Sequence, residues 1–130
     1  MKLTQPEKEL KAAVEHLIHS GCNYNLNEFG NIYTPDLKVV IIDPSSQVAI
    51  LNYEQNYEFF KAKRDSGASP LEETVNFVHL DISGDYGYVV VIRHVAMDIE
   101  RQKVVFSLNL RKCDGVWKVF RETAMISDEL

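Results

Sequence analysis

The sequence predicts an α+β fold with helices first and a sheet last, and three observations carry that expectation. In the N-terminal half, apolar residues recur at helical spacing. From about residue 74 onward, the chain is a succession of runs rich in Val, Ile, Phe and Tyr. The turns between those runs are short enough for hairpins, so the sheet is an antiparallel meander. Helices segregated from such a sheet pack on one of its faces.

The first helix opens at Thr4 and Glu7, which have capping-box spacing, with Pro6 in the first turn where its missing N–H costs little. Leu10, Ala13, Val14, Leu17 and Ile18 form its apolar face, and Gly21 supplies the stop. A shorter helix is expected from about Leu26 to Tyr33 with Asn25 as cap. "TPD" (34–36) then turns the chain into a strand, Leu37–Ile42. A third helix begins near Asn52, which can cap it with Gln55 at the reciprocal position; Tyr53, Tyr57 and Phe60 share one face. "KAKR" (61–64) sits at the end of this helix, where basic residues suit the dipole, and reads as a solvated helix end. After the loop "DSGASP" (65–70), the expected strands are Thr74–Ser83, Tyr88–Asp98, Lys103–Lys112 and Val116–Ala124.

The chain has 130 residues, enough for one domain (1–130) with a core that needs no staples. A net charge of −5 with no basic stripe argues against nucleic acid as a partner. No apolar run approaches a membrane span, and "MKLTQPEKEL" has no apolar signal-peptide region. The two cysteines, Cys22 and Cys113, form no metal-binding motif, so no metal is expected and the reading is of free thiols in a reducing cytoplasm. There is no nucleotide-binding loop, nucleophile elbow or HExxH motif, and no cofactor is expected.

With this element order on the page, "IYTPDLKVVIIDP" (32–44), "DISGDYGYVVV" (81–91) and "SLNLRKCDGVWKVFRETA" (107–124) carry a resemblance. The chain resembles the nuclear-transport-factor-2-like superfamily, in particular its SnoaL-like members, over about residues 5 to 125. The resemblance implies a cone, a curved antiparallel or mixed sheet wrapped around about three helices with an internal pocket, and a tendency to dimerise. It implies no single chemistry, because isomerases, dehydratases, hydrolases, cyclases and assembly modules share the fold.

Strand alternation sorts the sheet residues into two faces. One row holds Tyr88, Val90, Ile92 and His94, then Val104, Phe106, Leu108 and Leu110, then Phe120, Glu122 and Ala124. It is the more apolar row and is assigned to the pocket. A bulge would reverse part of a strand. The expected ligand-binding set is thus Tyr88, Ile92, Phe106, Leu108 and Phe120, joined by Tyr53, Tyr57 and Phe60 from the third helix. His94 and Glu122 form a candidate acid/base pair, with satisfied core polar groups as the alternative. Asp43 stands before Pro44 at the end of "VVIID", where the similar ketosteroid isomerases carry their general base; as an Asp-Pro turn opener it needs no chemistry, and both readings stay open. The tyrosine and second aspartate of those isomerases have no counterpart, since the matching positions read "EHLI" (15–18) and Leu108. His16 and His19, on the first helix, read as surface histidines.

These residues favour a homodimeric binder of an apolar or aromatic small molecule. A cofactor-independent lyase, isomerase or hydrolase using Asp43, His94 and Glu122 is the first rival, and a protein-assembly module the second. The dimer is expected to pack through the other row, Val89, Val91, Arg93, Val95 and Met97 with Asn109, Arg111 and Trp117, because that surface is too apolar to leave in water.

Overall fold

In the computed structural model of the chain, which describes residues 2–96 and 100–128, α1 (Gln5–Cys22) starts at the expected capping box. Thr4 Oγ1 accepts from the Glu7 amide at 3.3 Å and the Glu7 carboxylate accepts from the Thr4 amide at 2.8 Å. Two of the helix's unpaired N-terminal donors are thereby satisfied. Leu10, Val14 and Ile18 are buried and turn the stripe of α1 toward the sheet. A 3₁₀ turn (Leu26–Glu28) runs into α2 (Phe29–Ile32), which places Phe29 and Ile32 in the core.

β1 (Tyr33–Ile42) begins earlier than expected. Tyr33 pairs with Val119, and regular pairing resumes at Lys38 beyond an irregularity spanning the "TPD" segment. β2 (Val48–Asn52) is an element the sequence reading lacks; it pairs antiparallel with β1, from Ile42↔Val48 to Lys38↔Asn52. Its five residues run without a break into α3 (Tyr53–Asp65), so their apolar pattern blends into the helix start. Asn52 and Gln55 cap α3 reciprocally, each backbone N–H donating to the other's side chain at 2.9 Å.

β3 (Asn76–Ser83), β4 (Tyr86–Val95), β5 (Gln102–Cys113) and β6 (Val116–Asp128) form the meander. Of the strand expected to reach Asp98 and the turn after it, Met97, Asp98 and Ile99 lie outside the described residues. The strand order is β2-β1-β6-β5-β4-β3, with β1 parallel to β6 and every other pair antiparallel. The mixed sheet curls around the helices without closing.

The assignment of faces needs two corrections. On β4 the inward residues are Val89, Val91, Arg93 and Val95, all buried, so the expected row is inverted. Both rows of this strand are mainly apolar, so alternation alone does not separate them, and the charged Arg93 stands in the buried row. Gly87 carries the deciding signal: a Cβ there would stand 2.8 Å from Leu10 Cδ2, so α1 presses directly on this row. On β6, pairing steps from Leu110↔Val119 to Asn109↔Arg121. Phe120 is the extra residue, and the bulge puts Trp117 and Val119 inside before it and Glu122 and Ala124 inside after it. Val89, Val91, Arg93, Val95 and Trp117 are therefore no part of an outer interface. Of the surface expected for dimerisation, Asn109 and Arg111 do face outward, cross-strand from Tyr88 and Tyr86.

Candidate functional site

Between α1, α3 and the concave sheet face lies a cavity of about 460 Å³. Leu17 and Ile18 of α1, Phe59 and Phe60 of α3, Val39 and Ile41 of β1 and Val91, Val104, Phe106, Leu108, Ala124 and Ile126 of the meander give it mainly apolar walls. Cys22, Tyr33, Asn56, Lys63, Arg93, Gln102 and Glu122 interrupt that lining with polar groups. The size and the balance of many apolar walls with few polar groups are those of a small-molecule site.

Glu122 sits opposite Leu108 in the β5–β6 ladder, two residues beyond the bulge. Its Oε1 is shut off from water and has no hydrogen-bond partner. Burial raises its carboxyl to about 7, against the opposing pull of the Arg93 charge. Tyr33 shares this environment: burial, and after it the Glu122 charge, push its phenol well up, while Asn56 beside the hydroxyl works the other way. Asn56 is itself buried on α3, with Nδ2 unpaired.

Arg93 is 7% exposed. Its Nη2 donates to Cys22 Sγ at 3.0 Å and to the Glu72 carbonyl at 2.6 Å, and its Nε has no partner. The guanidinium carbon lies 6.0 Å from the Phe106 ring centre. Burial raises the Cys22 thiol's pKa, with Arg93 opposing. Lys63, read as part of a solvated helix end, also borders the cavity, whereas Lys61 and Arg64 reach Asp65 at 3.0 and 3.2 Å.

Of the expected ligand-binding residues, Phe60, Phe106 and Leu108 line the cavity. Tyr53 and Tyr57 instead pack edge-on against Phe29, ring centres 5.2 and 5.3 Å away. Tyr88 and Ile92 fall on the outer row of β4, and Phe120 sits in the bulge with its ring 6.1 Å from Tyr86. His94 belongs to that outer row and Glu122 to the cavity, so the sheet separates them and the expected acid/base pair does not form.

Asp43 follows Ile41 in the inward row but turns back on its own loop. Its Oδ1 accepts from the amides of Ser45 and Gln47, both at 2.9 Å, and its backbone closes the β1–β2 turn with Ser46 and Gln47. The carboxylate is a turn clamp. His16 and His19 lie on the surface beside Glu28 and Glu73, at 3.0 and 2.8 Å.

Sequence reasoning missed Tyr33, Asn56 and Arg93. Asn56 had a signal available: in the α3 register it lies one turn before Phe60, on the face that meets the sheet.

No protein-family model matches the sequence. No curated protein matches it either. Solved structures do. A nuclear-transport-factor-2-like protein from Cytophaga hutchinsonii superposes with a TM-score of 0.72 at 17% identity, covering 95% of this chain and 99% of its own. One of unknown function from Silicibacter pomeroyi gives 0.74 at 14%, covering 97% and 99%. A ketosteroid isomerase-like protein from Erwinia carotovora atroseptica gives 0.69 at 14%, covering 98% and 100%. At such identities the likeness is one of fold: this chain has the nuclear-transport-factor-2-like α+β cone.

Proposed function

We propose that this protein binds an apolar or aromatic small molecule in the cavity and does so as a homodimer. The observation that carries the reading is the cavity itself: about 460 Å³ of space under the helices of a well-packed fold. An assembly module would gain stability by filling that space, because an empty apolar cavity forfeits packing contacts. A neutral naphthalene amine, N-phenyl-1-naphthylamine, tests the reading, since its fluorescence rises on entering an apolar site. Saturable binding to the wild type and its loss in Ala124→Phe, which fills the cavity, are expected. No binding, or binding undisturbed by Ala124→Phe, would refute it.

A second reading is a cofactor-independent lyase or isomerase. Glu122, held near neutrality, is suited to moving a proton, and Tyr33 and Asn56 stand near it as hydrogen-bond donors. The name of the ketosteroid isomerase-like neighbour lends this some support. Asp43 and His94 have no part in it. Proton exchange at the α-carbon of bound ketones, followed by NMR in deuterated water, distinguishes an enzyme from a binder.

The homodimer rests on the outer sheet face in its corrected composition. Ile92, Val105, Met125, Ile42 and Val48 are successive cross-strand partners, giving an apolar band across five strands. Met125 and Val48 are 53% and 59% exposed. A second copy laid on this band would bury it. Light scattering at micromolar concentration should give a dimer mass, reduced to a monomer by Ile92→Glu; a wild-type monomer would sink the dimer. Unpaired Cys22 and Cys113 suit a reducing, cytoplasmic setting. Among the described residues no helix is long and apolar enough to cross a membrane.

A further inference from the structure

Arg93 is a buried cation whose partners are all neutral. A thiol and a backbone carbonyl take one of its nitrogens, a second has no partner, and among the described residues no carboxylate lies within ion-pair distance. Taking an uncompensated charge out of water costs several kcal/mol, so an opposite charge brought to it is worth correspondingly more. Glu122 shares the cavity without closing an ion pair with Arg93. Asn56, on α3, adds a second unsatisfied donor to the cavity lining.

We infer that the cavity selects an apolar molecule bearing a carboxylate, with Arg93 as its anchoring cation and Asn56 as an additional donor. This rests on the small-molecule reading above. A cationic ligand is repelled by the guanidinium. A neutral carbonyl satisfies a donor and leaves the charge uncompensated. A carboxylate satisfies a donor and compensates the charge as well. The apolar remainder of the lining suits an apolar body, such as an aromatic ring system, for the rest of the molecule.

Calorimetric titration of 2-naphthoate against 2-naphthamide, the same ring system with and without the charge, tests the inference. At about pH 6, where Glu122 is largely protonated, the acid should bind the wild type about ten-fold or more tighter than the amide. In Arg93→Met that ratio should collapse to about one, and in Asn56→Leu it should fall several-fold. Equal affinities in the wild type overturn the carboxylate, with no variant needed, while N-phenyl-1-naphthylamine binding keeps the pocket reading alive. A preference for the acid that survives Arg93→Met overturns the role of Arg93. Failure of the neutral amine and both naphthalenes to bind overturns the pocket reading together with this one. If Arg93→Met does not fold, Arg93→Lys keeps the charge and loses the unpartnered Nε donor, and it should retain only part of the preference; a full preference there would overturn the role of that donor.

Discussion

The concave face of the sheet is solid at one end and hollow at the other, yet similar residues build both. At the solid end, Val89, Leu110 and Val119 cluster with Leu10 and Val14 of α1, and Gly87 leaves room for the Leu10 side chain to seat directly on the sheet. At the hollow end, Val91, Val104, Leu108 and Ala124 continue the same apolar rows under Leu17, Ile18 and the phenylalanines of α3, but enclose the cavity. Alternation shows which face is buried; it does not show whether that face is filled. The two ends differ in their ionisable residues, which stand in the inward rows only where there is space.

The largest effect that tests this contrast is truncation on either side of it. Leu10→Ala removes a fully buried side chain from the solid end and should cost about 2–5 kcal/mol in urea denaturation. Leu108→Ala widens a void that already exists and should cost distinctly less. Equal losses would mean that the two ends are packed alike.

A smaller effect, of opposite sign, belongs to Glu122. Its carboxyl at about 7 lies above the ordinary value of 4.5, so the folded state holds the proton more tightly than the unfolded chain. The stability this gives is present in acid and is lost as pH rises from about 4.5 through about 7. The other titratable or charged side chains bordering the same cavity are Cys22 of α1, Tyr33 of β1, Lys63 of α3 and Arg93 of β4. Glu122→Gln should therefore stabilise the protein at about pH 8, by on the order of 2 kcal/mol, and change little near pH 4. A pH-independent difference between the two proteins would show that Glu122 is not the group that titrates.

The smallest effect lies just beyond the hollow end, at Asp43. Asp43→Ala loses two side-chain hydrogen bonds and should cost about 1 kcal/mol, whereas Asp43→Asn keeps an acceptor and should be nearly silent. Neither should alter binding of N-phenyl-1-naphthylamine. A change in its affinity with Asp43→Asn would extend the site to the β1–β2 turn.

Much of the fold was legible because its local signals agree. Thr4 with Glu7 and Asn52 with Gln55 mark two helix starts, and short turns between β-rich runs set the meander. The site was harder to read because its parity rests on two features with weak local signatures. Gly87 marks the inward row of β4 only once α1 is known to press there, and Phe120 looks like any strand aromatic until the β5–β6 register exposes the bulge. By the usual rule for a charged side chain Arg93 belongs on the outer face, and this position breaks that rule. Tyr33 and Asn56 carry ordinary packing and helix signals, and only tertiary contact brings them to Glu122.

The place of β6 in the sheet has a consequence for how the chain becomes this shape. Among the described residues β6 is the sole strand that joins the β2–β1 hairpin to β5–β4–β3, and its partner β1 precedes it in sequence by most of the chain. While the protein is being synthesised, the two blocks can form hairpins of their own, but no backbone hydrogen bond links them until β6 has left the ribosome. The cavity, with β1 on one wall and β4 and β5 on the other, is thus among the last features to exist. Pairings so distant in sequence fold slowly, and until β6 arrives the edges of β1 and β5 remain open to other chains.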